Sequence, residues 1–148
     1  MPLIRGYLEQ LARHEGVARA RASDEFLRHT LFGATPMAVA HLVHVRRTAG
    51  EGPGDVCGLT VHSWKWGAFS GAMDMYLHVL FVDSAFRGQG VGRAVVHRLL
   101  DIAGAHGASR LELLTTAGNA SASAFYDRLG LATASHMVVR RKSCTTGK

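Results

Sequence analysis

An arginine and three glycines follow one another closely in the middle of the chain, as Arg87, Gly88, Gly90 and Gly92. The apolar run that ends at Val82 is typical of a strand, and a helical pattern begins immediately after the glycines. Glycine allows conformations that a side chain would forbid, and it lets the backbone approach a ligand closely. The N–H groups at a helix start attract phosphate. Residues 81–93 therefore indicate a cradle for a pyrophosphate.

The spacing of these glycines excludes two common nucleotide loops. A dinucleotide-binding fingerprint requires G-x-G-x-x-G, with an acidic residue about 20 residues later, and the x-x spacing is absent here. A Walker loop ends in G-K-[ST], whereas Gly92 is followed by Arg93 and Ala94. The alternative is a glycine-rich turn without a ligand. The coincidence of Arg87, the glycines and a helix start favours the cradle.

A second segment that could take part in catalysis covers residues 119–131 and contains Phe125 beside Tyr126. Asn119 and Gly130 suit the two ends of a short helix, and an apolar i, i+4 pair lies between them. This structural interpretation explains the segment except for Tyr126. A phenol with a pKa of about 10 is protonated at neutral pH and can donate a proton.

The elements that must position these segments alternate between helical and strand patterns. We predict a first helix that Gly16 ends, a second that Ser23 caps, and two more over residues 90–106 and 120–129. Strands are predicted over residues 37–45, 56–64, 73–82, 110–115 and 133–141. Between them we expect a glycine-rich turn at 47–55, a loop at 65–72 and a loose tail at 143–148. The pattern predicts one α/β domain over residues 1–148 with a mixed sheet.

Length and composition suit one soluble domain. The chain has 148 residues, of which 47% are hydrophobic, enough for a compact core. Apolar runs stay shorter than the roughly 20 residues of a membrane helix, and the N-terminus lacks a secretory pattern, so we expect a cytoplasmic protein. Two cysteines are too few for a disulfide framework; we expect Cys57 in the core and Cys144 in a polar tail.

Charge and histidine spacing narrow the choice of partners. The formal net charge of +6 is spread along the chain and is not accompanied by a nucleic-acid-binding motif. We therefore expect a solvated surface, with no nucleic-acid or membrane partner. The nine histidines lack H-x-x-x-H and H-E-x-x-H spacings, so no metal is expected.

Together the two segments resemble the two signatures of the GNAT N-acetyltransferase superfamily. The sequence R-x-x-G-x-G after a strand resembles its acetyl-coenzyme A loop, and residues 119–131 resemble N-x-x-(A/S)-x-x-F-Y-x-x-x-G. The resemblance implies a GNAT-type α/β fold, whose mixed, mostly antiparallel twisted sheet is flanked by helices. Residues 8–15, 32–36 and 76–82 are similar to the diamine (spermidine/spermine-like) acetyltransferase branch. That branch begins with a short strand before the first helix, whereas this chain starts within a few residues of that helix, so we expect the strand to be missing or shortened, or the start to be displaced.

The resemblance implies direct transfer of acetyl from acetyl-CoA to a primary amine of a small molecule. It implies that Tyr126 protonates the departing sulfur and that a backbone N–H near Leu80 stabilises the oxyanion. It also implies a homodimer. The residues that it assigns to acetyl-CoA are Leu80, Phe81, Val82, Arg87, Gly88, Gln89, Gly90, Val91, Gly92, Arg93, Asn119 and Ala122.

The substrate side departs from this branch. His78 and Val79 occupy its two acidic positions, which weakens the expectation of polyamine specificity. An imidazole with a pKa of about 6.5 makes His78 the candidate base, and an ordinary strand histidine is the alternative. Glu15 and Glu112 match further substrate-side positions. A coenzyme A-binding sensor or subunit that lacks catalysis is the alternative function; a nucleic-acid-binding domain rests on charge alone.

Overall fold

The computed structural model describes residues 1–46, 54–68, 70–142 and 144. Contacts divide the chain into two compact units, Met1–Leu114 and Thr115–Lys148. The single domain expected from the sequence stays a prediction. The turn predicted over residues 47–55 and the tail predicted over 143–148 lie largely outside the described residues.

The elements of the first unit confirm the predicted alternation of helices and strands. In chain order they are α1 (Pro2–His14), α2 (Asp24–Phe32), β1 (Val39–Val45), β2 (Asp55–Gly67), β3 (Ala72–Val82), a 3₁₀ turn (Ser84–Phe86), α3 (Val91–Ala105) and β4 (Leu111–Leu113). The second unit contains α4 (Ala120–Arg128). Ser23 caps α2 as predicted, because its side chain accepts a hydrogen bond from the Phe26 N–H at 3.1 Å.

The sheet has the strand order β1-β2-β3-β4. The first two pairs are antiparallel, and β4 joins β3 in parallel. The α/β class and the mixed, mostly antiparallel sheet are therefore confirmed. None of the helices in the described ranges has the length and apolar character needed to cross a bilayer.

Helices cover both faces of this sheet. On one face α1 and α2 pack against the strands through Ile4, Tyr7, Leu27, Leu31, Ala38, Leu59 and Phe81. On the other face α3 packs through Met75, Leu77, Leu99 and Ala103. Alternate residues of a strand point to opposite faces, so Phe81 contributes to the first cluster and Leu80 packs against the second. Cys57 is fully buried, and Cys144 is exposed, as expected.

Two predicted elements are wrong. The loop expected over residues 65–72 is a tight hairpin, because β2 continues to Gly67 and its aromatic and charged side chains pair across to β3. The Gly71 N–H closes this turn on the Gly67 carbonyl at 3.2 Å.

The strand expected over residues 133–141 does not form in the described part of that segment. Its apolar residues Met137, Val138 and Val139 are exposed. An apolar run becomes a strand only where a second strand accepts its main-chain hydrogen bonds, and local sequence cannot supply that second strand.

Candidate functional site

The phosphate-loop candidate connects β3 to α3 in the first unit. Gly88 and Gly90 have φ of +73° and +83°, in the left-handed region that favours glycine. A Cβ atom placed at either position would find no atom within 4 Å among the described residues, so the loop backbone is open to a ligand. Gly90 is the N-cap of α3, and the first turn of that helix carries no acidic residue. The Ala94 N–H bonds to the Gly90 carbonyl, which leaves the preceding N–H groups outside the helical ladder.

Arg87 is anchored at the base of this loop. Its Nε donates to the Val82 carbonyl at 2.8 Å, and its Cζ lies 5.3 Å from the centroid of the Phe81 ring. The structure thus brings together three residues that the sequence assigned to cofactor binding. A guanidinium has five N–H donors, so the bond to Val82 leaves its terminal nitrogens available for an anion. Gln89 instead folds back, and its Nε2 donates to the Ala85 carbonyl at 2.9 Å.

A β-bulge interrupts β3 at His78. Val61 of β2 pairs with Val79, whereas the next residue, His62, pairs with Leu77. His78 is therefore the extra residue of the bulge, and the direction of main-chain groups changes there.

The bulge determines which main-chain groups face the outer edge of β3. The Asp83 N–H donates to the Cys57 carbonyl of β2 at 2.8 Å. Main-chain groups of successive strand residues point alternately to the two edges, so those of Val82 and Leu80 point away from β2. On that edge β4 pairs only with Met75–Leu77 among the described strands. The N–H and C=O groups of Leu80 and the N–H of Val82 can therefore bond to a ligand, whereas the Val82 carbonyl accepts from the Arg87 Nε.

His78 is exposed and interacts with two neighbouring polar side chains. Its Nε2 and the Ser63 Oγ share a hydrogen bond of 2.8 Å, and the Tyr76 ring lies 4.8 Å away between centroids. Desolvation by the surrounding strands lowers the pKa of His78 below its usual value. The imidazole is consequently neutral at pH 7 and can accept a proton.

The two candidate carboxylates have different surroundings. Glu112 of β4 forms an ion pair with Lys65, and the Arg110 Nε lies 3.8 Å from its other oxygen. Two cations thus compensate its charge, which weakens it as a binding group for a cationic substrate. Glu15 lies at the C-cap of α1 and is exposed.

The second unit positions Tyr126 by local structure. The Asn119 Oδ1 accepts a hydrogen bond from the Ala122 N–H at 3.0 Å and caps α4, as predicted. At the other end, the Leu131 N–H bonds to the Tyr126 carbonyl at 3.0 Å, and Gly130 has a φ of +79°. This Schellman motif fixes the last turn of α4. The Tyr126 ring packs against Phe125, with 5.0 Å between centroids.

A contact between α1 and the start of the phosphate loop was not predicted from the sequence. The Tyr7 hydroxyl lies 3.1 Å from both the Asp83 Oδ2 and the Val56 carbonyl, and it donates its one proton to these acceptors. Burial and the hydrogen bond to Asp83 raise the pKa of Tyr7 to about 12. Asp83 directly precedes the 3₁₀ turn, so this contact fixes the start of the loop. The signal in the sequence was a polar-tipped residue within the apolar stripe of α1.

Comparisons with known proteins identify a sequence family and a shared fold. The sequence model of the "Acetyltransferase (GNAT) family" matches residues 18–131, more than half of the chain. Thialysine N-epsilon-acetyltransferase of Bos taurus is 28% identical over 125 residues, which cover 83% of this chain and 73% of the bovine protein.

Two solved structures share the fold. The ribosomal-protein-alanine N-acetyltransferase of Brucella melitensis biovar Abortus 2308 superimposes with a TM-score of 0.69 at 22% identity, over 97% of this chain and 88% of that one. An integron cassette protein of V. cholerae gives a TM-score of 0.74 at 22% identity, over 96% and 85%.

Proposed function

The chain belongs to the acetyltransferase (GNAT) family, and on that premise we propose that it transfers acetyl from acetyl-CoA to a primary amine of a small molecule. The observation that carries this proposal is the loop between β3 and α3. Its two glycines with positive φ, the open backbone and the helix start suit a pyrophosphate, and Arg87 supplies a cation beside them.

The residues of the first unit fit coenzyme A. We assign the pyrophosphate to Arg87 and to the N–H groups from Gly88 to Arg93. The outer edge of β3 suits the two amides of the pantetheine arm, because the main-chain groups of Leu80 and the N–H of Val82 point there. In the second unit we assign Asn119 and Ala122 to the same cofactor. When bound, acetyl-CoA supplies an activated thioester carbon.

Three chemical tasks then fall to the protein. His78 accepts the proton that the amine loses as its nitrogen bonds to the thioester carbon. The backbone N–H near Leu80 donates to the developing oxyanion. Tyr126 donates its phenolic proton to the sulfur as the C–S bond breaks, so that free coenzyme A leaves as a thiol.

The acceptor is a small amine that does not depend on a strong anionic pocket. The charge of Glu112 is compensated by Lys65 and Arg110, and His78 is neutral at pH 7. A polyamine needs uncompensated carboxylates to hold its second cation. The name of the bovine relative supports the amine of an amino acid as the acceptor.

Coenzyme A binding is the first test. Isothermal titration with coenzyme A should show binding to the wild type. The affinity of Arg87→Gln should be at least about 10-fold lower, because charge-assisted hydrogen bonds to phosphate are lost. Arg28→Gln, an exposed arginine of α2, serves as the matched control and should bind like the wild type. Equal affinities for all three proteins would refute the loop assignment.

Turnover is the second test. Acetyl-CoA consumption should be screened over amino acids, polyamines and aminoglycosides, and the best acceptor then used with Tyr126→Phe. The variant should lose about 10²- to 10⁴-fold in kcat and retain coenzyme A affinity. An unchanged kcat rules out the general acid. Tight coenzyme A binding without turnover of any acceptor would instead identify a coenzyme A sensor or subunit.

We also propose a homodimer. Among the described strands, β1 pairs only with β2, and an open sheet edge is commonly covered by a second chain. Sedimentation velocity should give twice the mass of the chain; a monomer across the accessible concentration range contradicts this assignment.

A further inference from the structure

A cavity lies in the first unit, between α3 and the edge strand β1. It has a volume of about 430 Å³, within the range of small-molecule pockets. Most of its wall is apolar and comes from Val43, Val91, Val95, Leu99 and Ile102. The proposed roles of the phosphate loop and of His78 leave this cavity unexplained.

Polar groups converge on the same cavity. Thr60 of β2 lines it and is only 1% exposed, and its hydroxyl has no hydrogen-bond partner among the described residues. A buried polar group normally has such a partner, so this hydroxyl points to a ligand. His41 and Arg98 line the exposed part of the cavity. The His41 ring is held by stacking on buried His62, with 5.3 Å between centroids and 10° between planes.

The side chains that line the cavity are positively charged or neutral. The described residues that line it include no aspartate or glutamate. Arg98 carries a permanent charge. Burial and the charge of Arg98 lower the pKa of His41 below its usual value, which agrees with two basic groups on one wall. An anionic group would be complementary to this wall.

We propose that the cavity between β1 and α3 binds a small organic carboxylate with an apolar body. The carboxylate contacts Arg98 and His41 at the exposed end, and a hydroxyl at the far end of the ligand accepts the proton of the Thr60 hydroxyl at the floor. The apolar body packs against Val95, Leu99 and Ile102. This site does not depend on acetyl transfer, although it shares α3 with the phosphate loop.

Octanoate and its neutral analogue octanol are suitable probes for isothermal titration. Octanoate should bind the wild type at least 10-fold more tightly than octanol, since only octanoate carries the charge that Arg98 recognises. Arg98→Gln should remove that preference. Thr60→Val should weaken 8-hydroxyoctanoate about 3- to 10-fold and leave octanoate affinity unchanged, because only the former has an acceptor for the Thr60 hydroxyl. Arg28→Gln on the opposite face of the sheet is the matched control and should behave like the wild type.

A further variant tests the cavity itself. Ala94 lines it and is exposed on α3, so Ala94→Phe should fill the space and abolish octanoate binding without loss of folding. Equal binding of octanoate and octanol, or unchanged octanoate affinity in both Arg98→Gln and Ala94→Phe, would overturn the proposal. It is also overturned if coenzyme A displaces octanoate and Arg98→Gln weakens both ligands equally, because the cavity would then belong to the cofactor site.

Discussion

Replacing Thr60 by valine should stabilise the protein. Thr60 is 1% exposed, and its Oγ1 has no hydrogen-bond partner among the described residues. Valine has nearly the same shape and a similar preference for strands, so the exchange of hydroxyl for methyl is the main change. A buried polar group without a partner costs about 1–3 kcal/mol, and we expect a gain near the lower end, about 1 kcal/mol. For a protein of this size such a gain raises Tm by about 2–4 °C.

Urea unfolding measures this gain directly. The midpoint should rise while the slope m stays constant, since a change in m would indicate an altered denatured state. Ser109→Ala is the contrasting variant, because the Ser109 Oγ donates to the buried Asp74 Oδ1 at 2.6 Å. Its loss should destabilise the protein by about 1.5–3 kcal/mol, as for other hydrogen bonds to charged groups.

Thr60→Val and Ser109→Ala together test whether the Thr60 hydroxyl destabilises the folded protein. If Thr60→Val is neutral or destabilising while Ser109→Ala behaves as expected, the Thr60 hydroxyl does not lower the free energy of unfolding, and the expected gain is refuted. If Thr60→Val is more stable and also binds 8-hydroxyoctanoate less tightly, stability and binding change in opposite directions. That combination is typical of a polar group kept for a ligand.

Three further predictions concern pH and the phosphate loop. The pKa of Tyr7 is raised to about 12, so its contribution is complete below pH 10 and is lost as the pH rises from 10 towards 12. Tyr7→Phe should therefore lose less unfolding free energy than the wild type between pH 9 and 11, by about 1.3 kcal/mol; parallel curves would contradict this. Burial and neighbouring histidines lower the pKa of His62, so the folded protein favours its neutral form. The contribution of this neutral imidazole to the free energy of unfolding is complete above pH 6.5 and is lost as the pH falls through the lowered pKa. His62→Phe should flatten urea midpoints between pH 7 and 5, and an unchanged slope would exclude His62 as the cause. Gly90→Val forces a β-branched residue to a φ of +83°, which costs about 1–2 kcal/mol or displaces the loop, so calorimetry should find no coenzyme A binding. Gly104→Ala inside α3 is the control, and wild-type affinity in both variants would refute the cradle.

The features that could be predicted from the sequence are those that local chemistry determines. Ser23 and Asn119 cap their helices because each side chain reaches an N–H three residues further on. The loop before α3 could be predicted because positive φ at Gly88 and Gly90 is a property of the residues themselves.

The missed features depend on partners distant in sequence. The bulge at His78 is invisible in an alternating run, because it exists only relative to the register of β2. The ion pair between Lys65 and Glu112 joins positions 47 residues apart, so no residue near Glu112 in the sequence indicates that its charge is compensated.

The environment of His78 restricts the acceptor further. A lysine-like amine has a pKa of about 10.4, whereas the pKa of His78 lies below its usual 6.5. Moving a proton from such an amine to this imidazole therefore costs more than about 5 kcal/mol before the chemistry begins. An α-amine with a pKa near 8 reduces that lower bound to about 2 kcal/mol. With His78 as the proposed base, this pKa difference favours amines of low pKa, or reaction at alkaline pH, over polyamines at neutral pH.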